Sequence, residues 1–185
     1  LNHKDALVRK AALSMLANFT MHIYPDILEF DEIIMPPLLK NLEEKDEEIL
    51  LQGIQALCVV CEDMDEIMAQ YLPELIPNLI NVLKGQYNNP EVRKCTIQAI
   101  ASCAEGAKDE FMTFGSELLP ILVEYTKSTD PAEIELRASS IWCLAHIVGF
   151  CLNNHKEIYS STIEPLIPTV LDVLKTDHTE SQEFS

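Results

Sequence analysis

Two short spacings in the sequence bring together residue types that could do chemistry. Cys143 and His146 stand three residues apart, so one turn of a helix would place a thiol beside a base. Cys58 and Cys61 form a Cys-x-x-Cys pair, which is half of many zinc sites. No second pair follows at zinc spacing, and helical neighbours three apart are common by chance. We therefore expect no catalysis, no bound metal and no cofactor.

The other features of the sequence also argue against an enzyme. No phosphate loop, dinucleotide fingerprint or HExxH zinc motif is present. All six cysteines fall inside apolar stretches with helical spacing, where a free thiol behaves as a small hydrophobe. We expect them to be reduced, which indicates a cytosolic or nuclear protein.

The charge of the chain is strongly negative and unevenly spread. The formal net charge is −17, and the segment from Asp26 to Glu74 holds fourteen acids against Lys40 and Lys45 alone. Such a field attracts basic partners and repels nucleic acid and acidic lipid. No apolar run has the roughly 18 residues that a membrane helix needs, so we expect no membrane insertion. The alternative is that the acids only keep the surface soluble.

Four segments of the sequence align without gaps and predict a repeated helix. They begin at Val8, Ile49, Val92 and Leu136, spaced 41, 43 and 44 residues apart. Within each segment apolar residues recur at three- and four-residue spacing, which is typical of a helix with one buried face. We name this predicted element helix B.

Ahead of these segments the sequence predicts a second helix, helix A, built on a proline. An aromatic residue stands six positions before each of three regularly spaced prolines, Pro36, Pro77 and Pro120. Proline is tolerated early in a helix, where its missing N–H would have no partner, so we expect each to mark a start or a kink. Two helices per period of about 40–47 residues indicate HEAT or armadillo repeats. The predicted fold is all-α, an α–α superhelix (HEAT-repeat solenoid) that is a fragment of a longer array.

The repeat divides the chain into three whole hairpins between two partial ones. Residues 1–24 are predicted as a helix B without its helix A. Complete HEAT repeats are predicted over 25–66, 67–110 and 111–154. Residues 155–185 are predicted as a helix A of a truncated repeat that departs from the pattern, since Tyr159 stands nine residues before Pro168 and Pro165 is an extra proline.

The segments that carry the repeat resemble the importin-beta (karyopherin-beta) superfamily, most of all its importin-four/importin-five branch. The resemblance rests on four stretches, Tyr71-LPELIPNLINVL-Lys84, Val92-RKCTIQAIASCAEGA, Phe114-GSELLPILVEY and Glu135-LRASSIWCLAHIVG. It implies a carrier that shuttles between cytoplasm and nucleus. It also implies protein cargo on the concave helix B face, regulation by Ran GTPase in its GTP form, and contacts with FG-repeat nucleoporins. One departure is Leu50, where the other helix B segments have arginine.

Aligning the helix B segments predicts rows of side chains on the face away from the A helices. Matching positions in stacked repeats stand about 10 Å apart, so an extended basic segment of a partner can meet several at once. Amide side chains offer donors and acceptors to a peptide backbone, and an exposed Trp is a typical anchor. The predicted protein-binding residues are Gln55, Glu62, Gln98, Ser102, Glu105, Trp142 and His146.

Two alternatives stay open at this point. The polar rows could be solvated helix surface, and Trp142 could pack on a neighbouring helix as part of the structure. The acidic turn 43–48 and the loop 62–66 lie on opposite edges of such a solenoid, where they could bracket a basic ligand. The competing function is a HEAT-repeat structural scaffold of a phosphatase or chromosome-organising complex.

Overall fold

A computed structural model of the chain describes residues 1, 3–23, 26–107 and 110–154, with isolated positions at 164, 167–168 and 171. Nearly all of these residues are helical, and no strand occurs among them. The predicted helix A over 155–185 lies almost wholly outside the described residues. The seven α-helices are α1 (Ala6–Ile23), α2 (Asp31–Asn41), α3 (Glu47–Asp63), α4 (Leu72–Lys84), α5 (Pro90–Ala107), α6 (Gly115–Thr126) and α7 (Ile134–Asn154).

The four segments that align in the sequence also start at the same position within their helices. The aligned residues Val8, Ile49, Val92 and Leu136 are each the third residue of their helix, in α1, α3, α5 and α7. The all-α solenoid fold is therefore confirmed, and helix B of each predicted repeat is a single α-helix of 17 to 21 residues. The exact repeat boundaries stay a prediction.

The A helices begin one turn earlier than the prolines. In α2, α4 and α6 the residue before the first helical residue is the aromatic of the sequence pattern, Phe30, Tyr71 or Phe114. A 3₁₀ turn precedes each of them, over Asp26–Phe30, Asp65–Gln70 and Glu110–Phe114. The aromatic marks the change from 3₁₀ to α-helix.

Of the two alternatives for the repeated prolines, a helix start or a kink, the start is wrong and the kink stays a prediction. Pro36, Pro77 and Pro120 are each the sixth residue of their helix. Only the first few N–H groups of a helix lack an internal partner, so each of these prolines removes a bond that another residue would make. In α4 it is Pro73 that occupies the N-terminal position.

The chain separates into two compact units, Leu1–Met112 and Thr113–Ser185. In the first unit α3 packs between α1 and α5, while α2 packs on α3 and α4 on α5. Ile54 and Leu57 of α3, and Leu75 and Ile76 of α4, are fully buried there. Each of these side chains contributes about 1.5–3 kcal/mol through its burial.

The second unit is built on the hairpin of α6 and α7. Leu118, Leu119 and Leu122 of α6 are fully buried, as is Cys143 of α7. Asp130 begins the connection to α7 by accepting a hydrogen bond from the Ala132 N–H, 2.9 Å away.

Side chains also connect consecutive A helices in the first unit. The Tyr71 hydroxyl donates to the Asp31 carboxylate at 2.7 Å, and the Gln70 amide donates to the same oxygen at 3.0 Å. Partial burial and this bond to a carboxylate raise the pKa of Tyr71 to about 12. The phenol therefore stays a donor at physiological pH, and the starts of α2 and α4 stay joined.

Candidate protein-binding surface

Gln55 and Gln98, the two predicted contact residues with amide side chains, lie on α3 and α5 of the first unit. Gln55 is half-buried, and its side-chain oxygen accepts a hydrogen bond from Gln52, 2.8 Å away. Gln98 is exposed. The structure thus leaves the Gln98 amide open to a partner, whereas Gln55 is already engaged within its own helix.

Ser102 does not lie on this surface. It is 8% exposed, and its hydroxyl donates to the backbone carbonyl of Gln98, one turn earlier on α5. Gln98 can therefore donate and accept hydrogen bonds with a partner, whereas Ser102, one turn later, is buried where α3 packs on α5. The prediction that Ser102 contacts a partner is therefore corrected, because Ser102 lies in the core.

Glu62 and Glu105 lie at the C-terminal ends of α3 and α5, and both are exposed. We call them the acidic pair. Partial burial raises the pKa of Glu62 above its ordinary value, and the charges of Asp63 and Glu105 raise it further. The negative end of the helix dipole is also unfavourable for a carboxylate there. A lysine or arginine of a partner would relieve this repulsion, so the acidic pair is suited to a cation.

Trp142 and His146 form an aromatic patch on α7 of the second unit. Their ring centroids are 4.2 Å apart with the planes tilted by 57°, and Trp142 remains 49% exposed. Exposed small residues flank the indole one and two turns away, at Ala138, Ala145 and Gly149. Among the residues that the structure describes, none outside the adjoining helix backbone lies within 4 Å of a methyl group added at Gly149. The Trp therefore stands on an open helix face.

Such a face can bind an apolar or cationic group of a partner. A Trp ring offers a large rigid contact area and attracts cations to its π-face. The small flanking residues at positions 138, 145 and 149 were missed in the sequence, although their spacing from Trp142 at three, four and seven residues marks them as neighbours on one helix face.

The acidic turn 43–48 is already used within the fold. Glu44 accepts a hydrogen bond from Arg9 at 2.8 Å, and Glu48 pairs with Lys10. Glu47 accepts from the backbone N–H groups of Asn88 and Asn89, at 3.1 and 3.0 Å. We call this set the turn ladder, since it joins the start of α1, the α2–α3 turn with the start of α3, and the loop before α5.

The turn ladder lowers the pKa of Glu44. Burial alone would raise that pKa, but the bond from Arg9 and the backbone N–H groups of Lys45 and Asp46 outweigh it. Asp46 also caps α3 by accepting from the Glu48 and Ile49 N–H groups. The idea that turn 43–48 brackets a basic ligand loses support, because these acids hold the repeats together.

The cysteines contribute to packing. Cys61 and Cys103 lie with their sulfur atoms 3.8 Å apart between α3 and α5, and the Cys58 thiol contacts the Cys95 carbonyl oxygen at 3.4 Å. The hydrogen bond with Cys103 and burial both raise the pKa of Cys61 well above that of a free thiol. Cys143 of the Cys143/His146 spacing is fully buried, out of reach of a substrate. Within the described part of the chain, no helix has the length and apolar content of a membrane span.

Comparison with known proteins gives a consistent result. No protein-family model matches the chain. It is 24% identical over 186 aligned residues to the probable importin subunit beta-4 of Schizosaccharomyces pombe, covering 98% of this chain and 17% of the relative. It is 30% identical over 131 residues to importin subunit beta-2 of the same organism, covering 66% of the chain and 14% of the relative.

Solved structures agree with these relatives. Kap121p bound to Pho4p matches with a TM-score of 0.82 at 23% identity, over 97% of this chain and 17% of that one. Kap121p bound to Nup53p matches with a TM-score of 0.80 at 24% identity, again over 97% and 17%. The resemblance to the importin-beta superfamily is confirmed.

Two further findings describe the extent of the likeness to importins. The chain spans about one sixth of the length of the importins and Kap121p that it matches. It is also 25% identical over 161 residues to U3 small nucleolar RNA-associated protein 10 of Scheffersomyces stipitis, covering 82% of the chain and 8% of the relative. The sequence likeness thus extends to a protein that is not named as an importin.

Proposed function

We propose that this chain is a macromolecule-binding segment of a nuclear transport receptor. The observation that carries the proposal is the match of almost the whole chain to an importin subunit and to Kap121p. The receptor would shuttle between cytoplasm and nucleus, and the importin-four/importin-five branch is its proposed place in the superfamily. Its proposed role is binding and not catalysis, which the importin name of its relative supports.

The proposed cargo is a basic protein. The net charge of −17 attracts positive partners over long distances, and the acidic pair gives lysine or arginine side chains a local destination. Trp142 and His146 add apolar contact, and the Gln98 amide adds hydrogen bonds to a peptide backbone. Kap121p has been solved with Pho4p and with Nup53p, which supports a cargo and a nucleoporin as partners of this receptor. We propose that the nucleoporins it meets are those with FG repeats.

Regulation by Ran in its GTP form completes the proposal, and one experiment tests it. The full-length receptor is immobilised, loaded with a basic cargo protein and washed with Ran loaded with GTP or GDP. The expected result is that Ran–GTP releases the cargo and Ran–GDP does not. Cargo that binds but ignores both forms would contradict Ran regulation.

A second candidate is a structural HEAT scaffold, for example in a phosphatase or chromosome-organising complex. The match to U3 small nucleolar RNA-associated protein 10 favours it, because that relative aligns with most of the chain. A scaffold would remain with its partners in the presence of Ran–GTP. The same release experiment therefore separates the two functions.

A further inference from the structure

A hydrogen-bonded cluster near the surface joins two hairpins of the first unit, the hairpin of α2 and α3 and the hairpin of α4 and α5. The carboxylate of Asp31, the first residue of α2, accepts from the Tyr71 hydroxyl at 2.7 Å and from the Gln70 amide at 3.0 Å. Asp31 and Tyr71 are half-buried, and Gln70 is exposed. We call these three residues the clasp. Because water reaches it, the clasp can open and re-form without disturbing the core.

The two sides of the clasp are anchored in different hairpins. Met35 of α2 is fully buried one turn after the clasp carboxylate, and α2 packs on α3. Met68 and Leu72 flank the two clasp donors and are also fully buried, and the 3₁₀ turn before α4 packs closely on α5. The donors therefore move with one hairpin, and the acceptor moves with the other.

The two hairpins contact each other mainly through their B helices. α3 packs extensively on α5, whereas α2 and α4 touch at only a few positions. Between α3 and α5 the sulfur atoms of Cys61 and Cys103 lie 3.8 Å apart, and the Cys58 thiol contacts the Cys95 carbonyl oxygen. Sulfur contacts are weak and adaptable, so helices packed in this way resist separation more than a small rotation. The α3–α5 interface thus has the properties of a hinge.

We infer that the clasp is a latch that fixes the angle between the two hairpins, with the α3–α5 interface as the hinge. When the clasp opens, α2 and α4 move apart while α3 and α5 stay in contact. The latch is a property of this chain and not of the repeat, because the aligned aromatics Phe30 and Phe114 have no hydroxyl group. This inference does not depend on the proposed transport function.

Distances between spin labels test the inference in the full-length protein. One labelled pair, Lys40→Cys and Asn81→Cys, measures the separation of α2 and α4. The other pair, Glu62→Cys and Glu105→Cys, measures the separation of α3 and α5. All four positions are exposed, whereas the described native cysteines are buried or half-buried, so the introduced thiols are labelled first. Protein without introduced cysteines, treated in the same way, gives the background in double electron–electron resonance.

Two variants open the latch in different ways. Tyr71→Phe removes only the hydroxyl, and Asp31→Asn removes the charge that accepts both bonds. In each we expect longer α2–α4 distances, with the open population rising about tenfold, as the loss of a bond to a charged group predicts. The α3–α5 distances should stay unchanged. Tyr87→Phe is the control, because it removes the hydroxyl of another half-buried tyrosine in the same unit.

Three outcomes would overturn the inference. Unchanged α2–α4 distances in both variants would show that the clasp does not set the angle. Longer distances in both labelled pairs would show that the bonds stabilise the whole unit and that α3 and α5 are not a hinge. An equal effect of Tyr87→Phe would trace the change to the loss of any tyrosine hydroxyl and not to the clasp.

Discussion

The turn ladder and the acidic pair are made of the same residue type and behave in opposite ways. In the turn ladder Glu44, Glu47 and Glu48 accept bonds from neighbouring turns, and the pKa of Glu44 is lowered. In the acidic pair Glu62 lies near Glu105, and its pKa is raised. A net charge of −17 therefore does not say which acids can meet a partner. Some acids join the repeats, and others are in position to attract cations.

A substitution in the hydrophobic core gives the stability loss against which substitutions in the turn ladder and the acidic pair are compared. Leu57 of α3 is fully buried between the helices of the first unit. We expect Leu57→Ala to lower the free energy of unfolding by about 2–5 kcal/mol, because it removes buried methyl groups and leaves a cavity. Urea denaturation followed by circular dichroism measures this. A loss below about 1 kcal/mol would show that the helices repack freely, and edge effects could then not be separated from the core.

A variant of the aromatic patch tests whether cargo binding depends on charge alone. We expect Trp142→Ala to weaken binding of the basic cargo by about 2 kcal/mol, roughly 30-fold, with little change in stability because the ring is half exposed. Gly149→Ala is the matched control on the same helix face, since a methyl group there meets no neighbour. Loss of helicity in the Trp142 variant would place the ring in the packing and remove it from the interface.

A turn-ladder variant should affect stability and not binding. Glu44→Gln removes the charge that pairs with Arg9, so we expect a loss of up to about 1 kcal/mol at pH 7. A lowered folded-state pKa stabilises above the unfolded-state pKa, and this stability is lost as the pH falls through the folded-state value. The difference between variant and wild type should therefore shrink as the pH falls below the ordinary pKa of glutamate. A difference independent of pH would rule out the ion pair as its source.

For the acidic pair, the stability of the fold should change with pH in the opposite direction. Its raised pKa means that the Glu62 carboxylate destabilises the fold when charged, and the fold gains stability as the pH falls through that pKa. We expect Glu105→Gln to lower the pKa of Glu62 towards its ordinary value, and the effect should be smaller at high salt, where charges are screened. Carboxyl ¹³C NMR titration measures this directly. An unchanged Glu62 pKa would show that the two acids do not interact.

The sequence predicted the helices better than it predicted the side-chain environments. Periodicity placed Val8, Ile49, Val92 and Leu136 at one helical register because buried apolar stripes are a property of the local chain. The prolines were misplaced by a turn, since the 3₁₀ segments that set the helix starts carry no strong sequence signal. The burial of Ser102 and the bonds of the turn acids were not predicted, because these surroundings depend on how α3 meets α1 and α5, which spacing along one helix does not reveal.

Binding of a lysine-rich peptide to paired variants tests the account most directly. Fluorescence anisotropy of the labelled peptide is measured with the wild-type chain, with Glu62→Gln/Glu105→Gln and with Glu44→Gln, at low and high salt. The account predicts that the acidic-pair variant binds several-fold more weakly at low salt and keeps its stability, while Glu44→Gln loses stability and keeps its affinity. Equal weakening by both variants, or no effect of either, would contradict the division between acids that join the repeats and acids that bind a partner.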